Sequence, residues 1–226
     1  MRIVWACCFV CSSFFLSAQE KIADDNFNDS TIRILIVPYS RIEFHTEFSI
    51  DYIAEINTTI SDSIYTFYRN ALLHVLLNSS FKNIKFILPS ENDEKIVRMA
   101  VKYSYSNKPQ RHYMANLSAV DKNKFAALLG KYQAQMVLFI NWYKIEKTYQ
   151  NNLSGSGKAR KPFAEHYIDF DVVDKDKTIL FCEGKFYFKA TKTNAETIES
   201  KNLRIKEVKN GYQILPLYIY KRLGAK

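Results

Sequence analysis

The sequence predicts an α/β protein, with α+β as the alternative: a single domain whose mixed sheet ends in an antiparallel C-terminal meander and is covered by helices. Three observations predict it. Two apolar runs of strand length, residues 32–39 and 84–88, flank a long stretch of helical periodicity. Three strand-like segments then follow one another between residues 136 and 190. The chain is 47% hydrophobic and 15% aromatic over 226 residues, enough apolar material for one sizeable core and too much for a disordered chain.

Each element has its own signal. Ile32–Tyr39 is a buried strand stopped by Pro38, and Arg41–Ser49 is a loop or an edge strand. Asp51–Leu77 reads as one helix, with Ile53, Ile56, Ile60, Ile64, Phe67, Ala71 and Val75 at steps of three and four. This places Val37 and Ile64 in the core, on a strand and on the helix covering it. Ile84–Leu88 is a second strand. Ser90 caps a helix running to about Tyr103, with Glu91, Asp93 and Glu94 in its first turn. Ser104–Asn116 is polar, aromatic and basic, and reads as a loop. Ser118 with Asp121 suggests a capping box before a helix carrying Phe125, Leu128, Leu129 and Tyr132. Met136–Ile145, His166–Val173 and Thr178–Ala190 are the meander strands, the last bent at Gly184. A flexible connection (Asn151–Lys161) and the Asp174–Lys177 turn join them. Glu196–Arg222 is helical in part, broken near Gly211 and Pro216.

The first eighteen residues look like an export signal. Arg2 supplies a positive start, Ile3–Leu16 is apolar, and Ser17-Ala18 are small. The run falls short of the roughly 20 apolar residues that span a bilayer. Cleavage between Ala18 and Gln19 leaves a mature chain without a transmembrane segment: a disordered lead-in at 19–31, then a single domain at 32–226. Neither Val4-Trp5-Ala6 before Cys7 nor Val10 before Cys11 suits a lipidated cysteine. Three of the four cysteines leave with the signal, so the mature chain has no intramolecular disulfide. The remaining Cys182 has Leu180, Phe181 and Phe186 around it in sequence, which predicts a buried, inert thiol.

Charge is uneven. Residues 1–100 hold 9 Lys/Arg against 12 Asp/Glu, whereas residues 101–226 hold 23 against 11. A basic half on an exported protein points to an anionic envelope component or an envelope protein complex, with peripheral membrane association, and export argues against nucleic acid. Its best contact surface is Lys102 to Tyr113, where Lys102, Lys108 and Arg111 interleave with Tyr103, Tyr105 and Tyr113. Tyrosine faces stack on sugar rings while the cations hold carboxylate or phosphate. The bland alternative is a Lys-rich solubilising surface.

No catalytic or metal motif stands out. Asp169, Asp171, Asp174 and Asp176 cluster, but a calcium loop fails because its twelfth position is Lys185. They read as a solvated strand face and a turn. His45, His74, His112 and His166 make no zinc spacing. Gly155-Ser156-Gly157 is neither a nucleophile elbow nor a phosphate loop, and a helix at 51–77 argues against a membrane barrel. No cofactor and no metal are expected.

The order of elements resembles the periplasmic α/β domains of the TolB amino-terminal, CsgG and FlgO type. The similar stretches are Ile34-Leu35-Ile36-Val37-Pro38-Tyr39, Lys131 to Ile140, and Phe170 to Ile179. Gln135 stands where that family tends to be acidic, and Lys177-Thr178 where it tends to have Thr-Gly. The resemblance implies an α/β fold and a periplasmic or outer-membrane-associated location. Together these readings suggest a non-enzymatic exported envelope protein, a binding or scaffolding subunit of an outer-membrane or cell-wall assembly. The alternatives are a glycan- or lipid-binding module, or a secreted hydrolase with a scattered active site.

The signal reading makes a direct prediction. The intact mass of the exported protein should show loss of residues 1–18 and a terminus at Gln19. A mass retaining Cys7, Cys8 and Cys11, or carrying acyl chains, would overturn it.

Overall fold

A computed structural model describes residues 31–105, 113–149, 162–188 and 202–224. The signal-like segment, the lead-in, the 151–161 connection, Lys108, Arg111 and His112 lie outside the described residues. In chain order, β1 (Ile32–Val37) leads through a 3-10 turn at Arg41–Glu43 to the short β2 (Phe44–Thr46). α1 (Ile50–Ile56) and α2 (Ile64–Leu77) then return the chain to β3 (Ile84–Ile87). α3 (Glu91–Ala100), a ribbon of β4 (Lys102–Tyr105) and β5 (Tyr113–Asn116), and α4 (Lys122–Tyr132) precede β6 (Met136–Tyr149). β7 (Pro162–Asp174) and β8 (Ile179–Phe188) follow, then α5 (Ile205–Gly211) and α6 (Ile214–Gly224).

The main sheet has the order β3-β1-β6-β7-β8, with β2 also paired to β6. β1 runs parallel to both β3 and β6, β2 runs parallel to β6, and the β6–β7 and β7–β8 pairs are antiparallel. This is the mixed sheet with an antiparallel C-terminal meander. The bend expected at Gly184 is a register shift: Ile168 faces Phe186 while Phe170 faces Glu183, so Gly184 and Lys185 carry the extra residue.

Alternating residues of the strands feed two cores. On one face Ile34, Ile36, Leu138, Ile140, Ile168 and Phe170 pack under α1, α2, α5 and α6. On the other, Leu35, Val37, Val137, Phe139 and Val173 pack under α3, the ribbon and α4. Val37 and Ile64 are both fully buried, as the sequence pattern predicts.

Five details differ from the sequence reading. The long helix is two helices. Asn57 ends α1 by donating its side-chain amide to the Ile53 carbonyl at 2.8 Å, and Thr58 takes φ 53°. The buried stripe of α2 is therefore Ile64, Tyr68, Leu72, Val75 and Leu76, while Ile60 and Phe67 face solvent. Residues 102–105 and 113–116 form the antiparallel ribbon where a loop was expected. α4 is capped by Asp121, which accepts the Lys124 N–H at 2.8 Å, and not by Ser118. Pro216 lies in the first turn of α6, where a missing N–H costs nothing, so it does not break that helix. Cys182 is half-buried, because Leu180 beside it points outward.

The larger core contains a polar thread. His166 is fully buried and bonds the Asn202 carbonyl through Nε2 at 2.6 Å. A carbonyl only accepts, so Nε2 carries the proton and Nδ1 accepts from the Tyr143 hydroxyl at 2.9 Å. Tyr143 meets Tyr212 at 2.7 Å and stacks on Tyr39 at 5.2 Å. Tyr68 donates to the Leu203 carbonyl at 2.7 Å and Asn57 to the same oxygen at 2.9 Å. The thread thus fastens the chain around Asn202–Ile205 to α1, α2 and the sheet.

Burial holds His166 neutral and lowers its pKa to about 4, the bond to Asn202 only partly opposing this. The unfolded side chain titrates near 6.5, so between these values the unfolded state binds more protons. Stability should be full above pH about 6.5 and fall as the pH drops toward 4, by up to about 3 kcal/mol. Urea unfolding midpoints between pH 7 and 4 measure this. In His166→Gln the decline between pH 6.5 and 5 should flatten. A wild-type decline confined to below pH 5 would assign the loss to carboxylates instead.

Candidate functional site

Two adjoining features on the α3 side concentrate polar chemistry. The first is the β4–β5 ribbon. It lies against the sheet where β6 and β7 present three buried polar side chains, Asn141, Asp169 and Asp171. Asp169 accepts the Tyr113 N–H at 2.7 Å, and Asp171 accepts the Ala115 N–H at 2.7 Å. Asn141 donates to Asp171 at 2.7 Å and to the Tyr113 carbonyl at 2.9 Å. A strand's side chains alternate, so Asp169 and Asp171 share one face as their spacing predicts. That face is buried, not solvated, because β5 presents its unpaired backbone edge to it. Edge amides must find acceptors when covered, and here carboxylates supply them. Asn141 reaches β5 because it continues the face of Val137 and Phe139, and β6 shifts register only there, between Ile140 and Trp142.

The clasp sets where the sequence-predicted contact residues stand. Lys102 is exposed on the outer face of the ribbon. Tyr103 turns inward and stacks on Tyr113, with ring centroids 5.9 Å apart and planes within 8°. Tyr113 also meets Trp142 at 6.0 Å. Tyr105 pairs with Tyr113 through the β4–β5 ladder. Lys108 and Arg111 lie outside the described residues. The ribbon therefore gathers Lys102, Tyr103, Tyr105 and Tyr113, while two tyrosine faces are spent on each other.

The second feature is a cleft of about 460 Å³ beside it, lined by Ser40, Glu43, Arg69, Glu91, Glu94, Lys95, Arg98, Met99 and Tyr103. It opens beyond the carboxyl ends of the parallel strands β1 and β3. The helices leaving those strands lie on opposite faces of the sheet, which leaves a crevice between them. Arg69 of α2 spans it to Glu94 of α3, with bonds of 2.9 and 3.1 Å to the two carboxylate oxygens. Arg98 donates to Glu94 at 3.3 Å and to Glu43 at 3.1 Å. Glu43 in turn accepts the Ser40 N–H and hydroxyl, a capping box on the 3-10 turn. The four ionic side chains are at most 23% exposed, so they are ordered far better than surface pairs. Burial raises the Tyr103 phenol well above its usual pKa.

The wall formed by α3 is itself fastened to α4. Asp93 bonds Lys131 at 2.7 Å and accepts from Tyr132 and Ser90. These bonds, that of Lys131 first, lower its pKa to about 2.

No protein-family model matches the chain, and no characterised protein matches it in sequence. Among solved structures, a neuraminyllactose-binding hemagglutinin homolog from Helicobacter pylori is similar, at 16% identity and TM-score 0.36, over 86% of this chain and 83% of its own. A likeness at that score bears on neither fold nor function.

Of the sequence-predicted residues that are described, only Tyr103 lines the cleft. Ser40, Glu43, Arg69, Glu94 and Arg98 were missed. Glu94 and Arg98 are four apart on one helix, and Ser40 and Glu43 have capping spacing, so half of the network had a local signal. The Arg69–Glu94 pair is tertiary and had none. His45 and His74 are exposed, and among the described residues no three His, Cys, Asp or Glu side chains gather as a metal site.

The clasp predicts a local effect. Asp171→Ala leaves the Ala115 amide without its acceptor and removes one of the two bonds of the Asn141 amide, and an unpaired buried group costs about 1–3 kcal/mol. The Ala115 amide should then exchange with solvent much faster than amides of β1. Equal protection in wild type and variant would mean that Asp171 does not hold the ribbon.

Proposed function

We propose that the protein is a non-enzymatic exported envelope protein, a binding or scaffolding subunit that docks on an anionic component of an outer-membrane or cell-wall assembly. The observation that carries this reading is the anchorage of the ribbon. Three buried polar side chains are committed to holding a two-stranded arm whose own outer residues contribute little to the core. An arm fixed in this way, with Lys108 and Arg111 in the chain between its two strands, need not be ordered on binding, which favours affinity. The signal-like amino terminus and the basic second half of the chain support export and an anionic partner. Four ionic groups of the neighbouring cleft, Glu43, Arg69, Glu94 and Arg98, are paired with one another, which suits a preformed surface.

The test is co-sedimentation with isolated envelopes across a salt series. Binding of wild type should fall as salt rises, because exposed charges are screened over about 8 Å at physiological ionic strength. Lys108→Glu with Arg111→Glu should bind several-fold less at low salt and melt at the wild-type temperature, since exposed charges contribute little to stability. Equal sedimentation of both proteins at every salt concentration would sink the reading.

A further inference from the structure

The cleft at the ends of β1 and β3 has a bias in its unused bonding capacity. Glu43 and Glu94 are occupied by Ser40, Arg69 and Arg98. The donors are not all used. Arg98 and Tyr103 line the cleft, and Nη2 of the one and the hydroxyl of the other are buried with no hydrogen-bond partner among the described residues. Lys95 stands exposed at the rim, one helical turn from Glu91. Glu91 is the one cleft carboxylate with no bond among the described residues, against three donor groups. A ligand completing this site must bring acceptors, and a charged acceptor suits a guanidinium best.

We propose that this cleft binds a small polar molecule through an oxyanion, a carboxylate or a phosphate, which takes hydrogen bonds from Arg98 and Tyr103 and the charge of Lys95. The place agrees with the chemistry: open α/β sheets bind ligands beyond the carboxyl ends of parallel strands, where successive helices leave on opposite faces. The network of Arg69, Glu94, Arg98 and Glu43 holds the guanidinium in place before the ligand arrives, so little ordering is required. The anion adds to an electrically balanced cluster, so it need not break an existing pair. This site is separate from the docking surface of the ribbon tip and does not require it.

Thermal unfolding with potassium phosphate and with glucuronate, at constant ionic strength set by chloride, tests the proposal. One of the two should raise the melting temperature saturably, as ligand binding to the folded state requires. Saturation by glucuronate alone assigns a carboxylate ligand, and by phosphate alone a phosphate. Tyr103→Phe removes only an unpartnered hydroxyl, so it should fold as wild type, yet bind roughly tenfold more weakly, the loss of one bond to a charged acceptor. Lys95→Ala should also weaken binding, whereas Lys108→Glu with Arg111→Glu should not, which separates this site from envelope docking. The proposal is overturned if neither anion raises the melting temperature above chloride, or if Tyr103→Phe binds as tightly as wild type.

Discussion

The fold depends on the pairing of one long strand. β6 has fourteen residues and β1 has six, so β1 can cover only part of one edge of β6. β1 takes Met136 to Phe139, and β2 takes Tyr143 to Ile145 on the same edge. The other edge is matched by β7 along nearly its whole length. The register shift after Ile140 lies between the β1 and β2 segments. Asn141 continues the face of Val137 and Phe139 toward the ribbon, and the shift turns Tyr143 toward the opposite core. The two polar systems of the molecule, the clasp and the His166 thread, therefore stand on opposite faces of the central strand, on either side of one irregularity.

A sheet of this kind has two faces to cover, and the chain covers them in turn. α1 and α2 take the first crossover, and α3, the ribbon and α4 take the second. The alternation leaves the ends of β1 and β3 open between layers. Hydrophobic contact cannot close that gap, because each helix packs against its own face. Charge closes it instead, with Arg69 reaching from one layer to Glu94 of the other. The cleft follows from the topology, and its ionic lining from the need to join two layers across it.

Much of the fold was legible because it rests on local pattern. The runs at 32–37, 84–87 and 136–145 are apolar enough to read as strands, and Ser90 caps α3 as its spacing to Asp93 suggests. The helix break at Asn57-Thr58-Thr59 was not legible, since Ile53, Ile56, Ile60 and Ile64 keep a helical period across it. The period survives although Ile60 is exposed and belongs to no helix. The ribbon was hidden for another reason: its polar strands gain their acceptors from Asp169 and Asp171, more than fifty residues away. Those aspartates read as a solvated face because their partner is backbone, which has no sequence signature. The same holds for the cleft, whose central pair joins Arg69 to Glu94 across the sheet.

Tyr103 belongs to both polar features. Its ring stacks on Tyr113 of the ribbon, and the residue also lines the cleft, as Arg98 does. Two sites sharing a side chain are coupled only if a ligand at one distinguishes between two positions of the shared group. The clasp bears on that condition. Tyr113 and Ala115 are held by charge-assisted bonds from Asp169 and Asp171, so the strand paired to Tyr103 has a fixed seat. A ring stacked on a fixed ring has little freedom to change position. The ribbon and the cleft then keep fixed positions relative to each other, and are not the two ends of a switch.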